Sequence, residues 1–219
     1  MQLFHSGLVL LVGCLVCLIE AKKFSVKNAK ELQKALDEAS PGDTIGLGPE
    51  DFKGAFVITK DGKQGSPITL VADDQKFKEK CRIIGEGSKA ALTVKGHFWN
   101  LRYFAIENKN SEGLLIEGSN NTVSSIVVEF VKKSIHVKGE SNTLEDVTVR
   151  DASEGINLEG SYNNVKRSAV IGAKPSLLAA KGTCCGNLEG NSFDSDMDMK
   201  GSGYKTSLNV INGKPQDEA

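Results

Sequence analysis

Residues 155–172 read GINLEGSYNNVKRSAVIG: an alternating stretch reaches a glycine, passes two asparagines and gives way to a second alternating stretch. The same pattern occurs upstream as GLLIEGSNNTVSSIVVEF at residues 113–130 and as SIHVKGESNTLEDVTVRD at residues 134–151, with the segment starts 21 residues apart. A repeat of this length is typical of solenoids, in which each unit buries its apolar face only by stacking on the next. The sequence therefore predicts stacked coils whose working surface lies along a face of the stack.

Turn glycines extend the repeat in both directions, with separations of 22, 21, 21, 22 and 19 residues: Gly96, Gly118, Gly139, Gly160, Gly182 and Gly201. A short strand precedes each glycine and a second strand follows most of them, and both have the two-residue period of a strand that buries one face. In the first strand the predicted inward pairs are Leu92/Val94, Leu114/Ile116, Ile135/Val137, Ile156/Leu158, Leu178/Ala180 and Met197/Met199. In the second they are Phe104/Ile106, Ile126/Val128, Val147/Val149 and Ser168/Val170.

Like residues thus stack on like residues, which predicts an all-β, single-domain parallel β-helix of about seven coils over residues 22–219, with the clearest coils at about 91–211. Asparagines recur at or near one turn position of successive coils: Asn121, Asn142, Asn163 and Asn187. Such a column satisfies turn backbone groups that water cannot reach, so we interpret these asparagines as structural.

Two segments precede the regular coils. Residues 1–21 contain an apolar run followed by a small residue, which predicts a cleaved signal peptide and hence a secreted, extracellular protein. A signal anchor is the alternative, but the run is shorter than the ~20 apolar residues that a bilayer span needs. Residues 28–39 have apolar side chains at helical spacing behind Asn28, a suitable N-cap, which predicts a helix that covers the open end of the stack.

The net charge of the chain limits the classes of binding partner that we expect. The formal net charge is −1 at pH 7, so a nucleic acid or an anionic lipid surface is not expected as a partner, and no later segment could span a membrane. We expect a monomer.

Three cysteines remain after signal cleavage, and Cys81 lies too many coils away to bridge the others, given strands ~4.8 Å apart. For Cys184 and Cys185, a bond between neighbours and two free thiols both stay open.

The stretch VKNAKELQKALDEASPGDTIGLGPEDFKGAFVITKDGKQGSPITLVA at residues 26–72 resembles the N-terminal cap and first coils of secreted right-handed β-helix polysaccharide lyases. Within that pectin lyase-like superfamily, the likeness is to the alginate and chondroitin lyase-like group, and it continues through GHFWNLRYFAIEN at residues 96–108. The resemblance implies a right-handed fold and an activity on acidic polysaccharides by β-elimination. No local motif matches the catalytic lysine and arginine of that family, so no role is carried over.

The outward columns of the first strand are the first place to look for chemistry. One column reads Thr93, Leu115, His136, Asn157, Ala179 and Asp198. The next alternates in sign down most of its length and reads Lys95, Glu117, Lys138, Glu159, Lys181 and Lys200. A ladder of salt bridges is one interpretation of the second column. The other is a polar groove in which Glu117, Lys138, Asn157 and Glu159 bind an anionic sugar chain.

β-Elimination needs a base and a cation that stabilises the developing enolate. His136 is a candidate base because its ordinary pKa lies near neutral, although a lone exposed histidine also occurs as plain surface. Lys133 and Arg150 are candidates for base or carboxylate clamp, while Glu129 and Arg150, which occupy equivalent places in neighbouring coils, could simply pair.

Two further motifs remain. Asp194, Asp196 and Asp198 alternate along the chain, so they could share a strand face and bind Ca²⁺ through oxygen, or they could form a solvated acidic last coil. Asn120 begins the sequon Asn120-Asn121-Thr122 in a turn, which predicts a glycosylation site. Two functions follow: a lyase acting on pectate or alginate, and, as the alternative, a non-catalytic glycan-binding or host-surface interaction protein.

Overall fold

The computed structural model describes residues 20–74 and 80–215, so all but the end of the predicted signal peptide lies outside the described residues. It contains one α-helix, α1 (Ala29–Glu38), among the described residues. The strands before residue 100 are β1 (Lys23–Val26), β2 (Thr44–Leu47), β3 (Asp51–Lys53), β4 (Phe56–Ile58), β5 (Ile68–Ala72), β6 (Arg82–Ile84), β7 (Leu92–Val94) and β8 (Trp99–Arg102).

The strands of the central and last coils follow in chain order. They are β9 (Ala105–Ile116), β10 (Thr122–Ser124), β11 (Val127–Val137), β12 (Thr143–Glu145), β13 (Thr148–Leu158), β14 (Asn164–Lys166), β15 (Ala169–Ile171), β16 (Leu177–Ala179), β17 (Cys184–Glu189), β18 (Ser192–Phe193), β19 (Met197–Asp198), β20 (Gly203–Ser207), β21 (Val210–Ile211) and β22 (Lys214–Pro215).

Parallel strands stack into a prism with three faces. The first face has the order β1-β2-β5-β8-β10-β12-β14-β17-β20. The second face runs from β3 through β6 to β21, with β22 antiparallel at its end, and the third contains β4, β7, β16 and β19. The long strands β9, β11 and β13 turn the corner, so each contributes its first half to the second face and its second half to the third.

The stack has about nine turns in the described part of the chain, so the prediction of about seven was too low. The missed turns lie at the N-terminal end. There, successive partners on the first face are Lys23, Thr44 and Thr69, which are unequally spaced in sequence. Unequal coils give no constant period to detect. Helix α1 interrupts the first coil and buries Leu32, Ala35 and Leu36 against the stack.

The predicted helical cap is confirmed at its start. The side chain of Asn28 accepts a hydrogen bond of 3.0 Å from the backbone N–H of Glu31, which satisfies one donor that the first turn of a helix leaves free. The helix contacts β1, β2, β3 and β4, and so it covers the open end of the core. No helix among the described residues is both long and apolar enough to cross a bilayer.

The inward columns hold as predicted in the second strand, where every named residue from Phe104 to Val170 is buried. The first strand is correct through Leu158, but the next coil is wrong by one residue. Leu177 and Ala179 are the buried pair, because Leu158 is paired with Ala179, and Leu178 replaces Ala179 in the outward column. Ala180 therefore occupies the position equivalent to Glu159 in the charged column, and Lys181 lies one residue beyond it.

The cause of this error is that Gly182 is a different kind of glycine. At Gly139 and Gly160 a side chain would collide with the carbonyl of the glycine one coil before, so close stacking requires glycine there. Gly182 instead has a φ of +85° and open space around it, which makes it an ordinary left-handed turn residue. Alignment on glycine therefore shifted the strand.

Asparagine side chains hold the corner before the first face. The backbone N–H of Asn121 donates to Asn142 Oδ1 at 2.9 Å, and that of Asn142 donates to Asn163 Oδ1 at 2.8 Å. Each amide also donates to a glycine carbonyl in the preceding coil, as Asn142 Nδ2 does to Gly118 at 3.1 Å. Because all three side chains are buried, this asparagine ladder satisfies groups that no water reaches.

Asn187 does not belong to this ladder, contrary to the prediction. It is exposed and its N–H bonds to Asn164, because the place after Asn163 is taken by Gly186. A second ladder, which the sequence did not reveal, begins on the other side of the first face. Ser168 N–H donates to Asn191 Oδ1 at 2.9 Å, and Asn191 N–H donates to Asn209 Oδ1 at 2.9 Å.

The cysteines resolve the alternative that the sequence left open. Cys184 and Cys185 form a disulfide, and Cys185, with a φ of 69°, continues a column of left-handed corner residues that includes Asn120, Ser141 and Tyr162. Cys81 is a free, buried thiol. Desolvation, reinforced by the charges of Asp73 and Asp74, raises the pKa of Cys81 from 9.0 to about 11.

Candidate functional site

The third face carries a square array of nine outward side chains, which we call the charge grid. Strand pairing places Lys133 beside Glu112 and Glu154, and His136 beside Leu115 and Asn157. The residues after the buried Ile116, Val137 and Leu158 complete the array. Its rows are Glu112, Leu115 and Glu117 on and just after β9, Lys133, His136 and Lys138 on and just after β11, and Glu154, Asn157 and Glu159 on and just after β13. A basic row thus lies between two acidic rows.

His136 lies at the centre of the grid and is only 7% exposed. Its Nδ1 lies 3.2 Å from Glu112 Oε1, within hydrogen-bond distance. Its Nε2 lies 2.8 Å from Glu159 Oε1, which is close enough for an ion pair when the imidazole is protonated, but the geometry gives no directed hydrogen bond. His136 therefore connects the coils on both sides of its own.

The lysines of the basic row differ in their partners. Lys133 Nζ lies 3.9 Å from Glu154, a contact between half-exposed groups that water screens. Lys138 forms no ion pair within residues 20–74 and 80–215, because Glu159 turns toward His136 and Glu117 pairs with Lys95 at 3.6 Å. Of the predicted salt-bridge ladder, the Lys95–Glu117 pair is present, and Lys138 is the cation that remains available to a ligand.

A pocket of about 250 Å³ adjoins the grid on the side of the last coils. Pro175 and Leu178 give it an apolar wall, and Glu154 and Asp198 give it an acidic rim. Asn157 also lines it, and the Oδ1 atom of Asn157 is buried with no hydrogen-bond partner. A buried acceptor without a partner costs free energy, so a donor brought by a ligand would be favoured here.

Arg150, the third predicted catalytic residue, lies on the second face and is therefore not brought together with His136. Its Nε donates to Glu129 at 2.5 Å, which is the simple pairing that the sequence left open. On the same face, Arg82 bonds to Asp51 at 2.7 Å and to Glu107 at 2.9 Å. The hydrogen bonds to Asp51 contribute most to raising the pKa of Arg82.

The predicted calcium ligands do not converge. Asp194 accepts from Gly172 N–H at 2.5 Å, Asp196 from the amide of Asn212 at 3.4 Å and Asp198 from Lys200 N–H at 3.3 Å. No group of three or more His, Cys, Asp or Glu side chains in the described ranges is arranged to hold a metal ion. As placed, these residues do not form a calcium site, and Ca²⁺ binding stays a prediction.

Two other residues complete the comparison with the sequence. Asn120 is exposed in a left-handed turn with a φ of 59°, which leaves its side chain accessible for the predicted glycan. Glu112, by contrast, was not predicted to contribute. The equal spacing of Glu112, Lys133 and Glu154 was the available signal, but the corner register shifts between Glu129 and Lys133 obscured it.

No protein-family model and no curated protein sequence matches the chain. Several solved structures, by contrast, superimpose on the chain. An alginate lyase from Paenibacillus sp. str. FPU-7 superimposes with a TM-score of 0.66 at 20% identity, covering 87% of this chain and 76% of that chain. Pectate lyase Pel9A gives a TM-score of 0.64 at 15% identity, with coverages of 87% and 60%. The fold is the right-handed parallel β-helix.

This β-helix confirms the resemblance seen in residues 26–72 as a likeness of fold. A mannuronic acid specific polysaccharide family 6 lyase from human gut microbiota gives a TM-score of 0.62 at 12% identity, covering 87% of this chain and 53% of that chain. The chain thus spans a little over half of two of these three lyases and about three quarters of the first. Because one fold supports many activities, the function has to be argued from the charge grid.

Proposed function

We propose that the protein is a secreted polysaccharide lyase-like protein that binds an acidic, uronate-containing polysaccharide such as pectate or alginate on its third face and cleaves it by β-elimination. The scaffold supports this proposal, because the superimposed structures include alginate and pectate lyases. The observation that carries it is the basic row on β11. There, Lys138, without an ion-pair partner among the described residues, lies two positions from His136 on the same outward face.

The row supplies the two groups that the reaction needs. Lys138 binds the uronate carboxylate and stabilises the negative charge that develops as the neighbouring carbon loses its proton. His136 acts as the base at Nε2, which requires the tautomer whose Nδ1–H donates to Glu112. The electron pair forms a C=C bond, the C–O bond to the leaving sugar breaks, and its oxygen takes a proton from the imidazolium or from water.

Glu159 has to move for this reaction, since its carboxylate occupies the space beside Nε2. Its side chain is 43% exposed, whereas that of His136 is 8% exposed, so Glu159 is the partner with room to turn into solvent. A bound sugar carboxylate on Lys138 would repel Glu159 from this place. Ligand binding and release of the base are therefore coupled.

A second function is favoured by a specific observation. Lys133 and Arg150 are each engaged with a carboxylate, and Arg150 lies on another face from His136. Of Lys133, Lys138 and Arg150, Lys138 is the one left to act as a clamp. A glycan-binding or host-surface interaction protein that keeps the scaffold without the chemistry has this arrangement, because a binding surface needs no base.

Incubation of the purified protein with pectate and with alginate, each with and without Ca²⁺, separates the two functions. The lyase proposal expects the ultraviolet absorbance of an unsaturated uronate to rise. In His136→Gln it expects the rate to fall about 100-fold, the lower end of what a positioned base contributes. Lys138→Gln should weaken binding. Lys205→Gln is its matched control, because Lys205 is exposed on the first face.

Flat traces from a cooperatively folded protein, together with binding on a glycan array, would replace the lyase proposal with the second function. Calcium dependence in the same assay would support the prediction that the protein binds Ca²⁺. Secretion, the monomeric state and glycosylation of Asn120 are part of the same proposal. Expression in secreting cells checks secretion and glycosylation, because glycosidase treatment should lower the mass of the secreted chain but not that of Asn120→Gln. The native mass of the secreted protein in solution checks the monomeric state.

A further inference from the structure

The charge grid also bears on which sugars the protein accepts, and this inference rests on the proposed function. Stacked parallel strands lie about 4.8 Å apart, and a sugar residue in an extended glycan advances by a similar distance. A glycan lying along the stack over Leu115, His136, Asn157 and Leu178 therefore meets about one coil per sugar. Each coil then acts as a separate subsite with its own charge.

The coil of β11 is the subsite for a carboxylate. It carries the available Lys138, while the coils on either side place Glu117 and Glu159 at the equivalent position. In a polymer of uronates alone, every sugar brings a carboxylate, so neighbours of the sugar on Lys138 would meet these glutamates. Like charges at such distances cost binding free energy.

The next subsite favours a hydrogen-bond donor. The pocket of about 250 Å³ beside Asn157 has Glu154 and Asp198 on its rim. The buried Oδ1 of Asn157, which has no partner, is an acceptor. A carboxylate offers only acceptors, so it would leave Oδ1 unsatisfied and face two acids. A hydroxyl, an amide N–H or an ammonium group satisfies Oδ1, and Pro175 and Leu178 provide an apolar surface for the sugar ring.

We propose that the third face selects a polysaccharide in which a uronate on Lys138 is followed by a sugar without negative charge in the pocket beside Asn157. The shared chemistry of that second sugar is hydrogen-bond donation. An uncharged sugar presents hydroxyls, and an amino sugar presents an ammonium or an amide N–H. The ammonium form gains additionally from Glu154 and Asp198, so its affinity falls more steeply with salt.

Calorimetric titration with three oligosaccharides of equal length tests this selectivity, using full-length mature His136→Gln so that nothing is cleaved. The ligands are an oligouronate, a uronate alternating with a neutral sugar, and a uronate alternating with an amino sugar. At least one alternating ligand should bind about tenfold more tightly than the oligouronate, the discrimination expected from like-charge contacts.

A charge-neutral variant sharpens the test. Glu154→Gln/Asp198→Asn should reduce the preference over the oligouronate about threefold, because it removes the two acids beside the pocket while Glu117 and Glu159 still repel the neighbouring carboxylates. Glu50→Gln/Glu189→Gln removes the same charge at two exposed positions away from the third face and should leave the preference unchanged.

Equal or tighter binding of the oligouronate by the parent protein would overturn the inference and leave the proposed function standing. A preference unchanged in Glu154→Gln/Asp198→Asn would also overturn it. Failure of all three ligands to bind a protein that melts cooperatively would instead reject the proposed function, and the inference with it.

Discussion

The central coils and the last coils meet the same corner requirement with different chemistry. From β8 to β14, buried asparagine amides join each coil to the one before. After Asn163 the chain offers Gly186, so the next coil lacks an amide at that place. There the hydroxyl of Tyr204 donates to the Gly160 carbonyl at 2.6 Å, and the Cys184–Cys185 disulfide holds the adjoining turn.

The corner therefore requires a hydrogen-bond partner for each buried backbone group, and different side chains can supply it. The amide and the hydroxyl differ, however, in how many backbone groups their side chains satisfy: Asn142 bonds to two and Tyr204 to one. The asparagine ladder lies in the middle of the stack with coils on both sides, whereas the last coils have neighbours on one side only. In a solenoid, a break near an end unfolds less of the chain.

Asn142→Ala should have the largest effect. It leaves the Asn121 N–H and the Gly118 carbonyl buried without partners, which costs about 3 kcal/mol of unfolding free energy. Urea unfolding measures this loss. Asn164→Ala, which removes a more accessible amide one residue beyond the ladder, is the control and should cost less than about 1 kcal/mol. Equal losses would contradict the structural role of the ladder.

Asn191→Ala, in the second ladder, should cost about 2 kcal/mol, because the Ser168 N–H and the Val165 carbonyl lose a buried partner in less constrained coils. The destabilisation should be confined to the last coils. Hydrogen exchange should accelerate from β18 to β22 while β8 to β13 stay protected. Faster exchange throughout the chain would show that the two ends do not differ as we infer.

Tyr204→Phe should cost about 1 kcal/mol through the lost hydrogen bond to Gly160. Burial raises the pKa of Tyr204 above its ordinary value of 10.0, so the native state favours the neutral phenol. The contribution is complete below pH 10 and is lost as the pH rises through the raised value. Thermal melts should therefore show the difference between parent and Tyr204→Phe shrinking at alkaline pH. A constant difference would argue against this cause.

The smallest effect is expected from Cys184→Ser/Cys185→Ser. A disulfide between neighbouring residues closes a minimal loop, so its removal costs about 1 kcal/mol or less. Faster hydrogen exchange should be confined to the turn at Tyr162 and the start of β17, since the Tyr162 N–H bonds to the Cys184 carbonyl at 2.8 Å. A dithiol should reproduce this change in the parent protein and do nothing further to the serine variant.

The sequence was sufficient for the fold because the 21-residue period and the two-residue alternation survive in every central coil. It failed where a residue type serves two purposes. Gly182 resembles the stacking glycines but is a left-handed turn, and Asn187 resembles a ladder asparagine but is exposed. Two turns at the N-terminal end were missed because the first coils differ in length and have no constant period.

The site was less predictable than the fold. His136, Lys138, Asn157 and Glu159 followed from the outward alternation, but Glu112 and Glu154 join them only because β9, β11 and β13 continue round a corner. Alternation breaks at that corner, so the sequence pattern ends before the strand does. The sequence pattern placed Leu178 inward, but the strand is shifted by one residue and Leu178 lines the pocket instead. A disulfide between adjacent cysteines leaves no sequence signal that separates it from two thiols.

The asparagine ladder also determines how such a molecule can change its length. The side chain of each ladder asparagine bonds to the coil before it, and every step repeats the same two bonds. A whole coil can therefore be copied without leaving any corner group unsatisfied, whereas adding one residue turns a strand inside out. We expect a chain with residues 142–162 duplicated to melt in a single transition and to carry one additional row of the grid. The coil is thus the unit in which this surface grows.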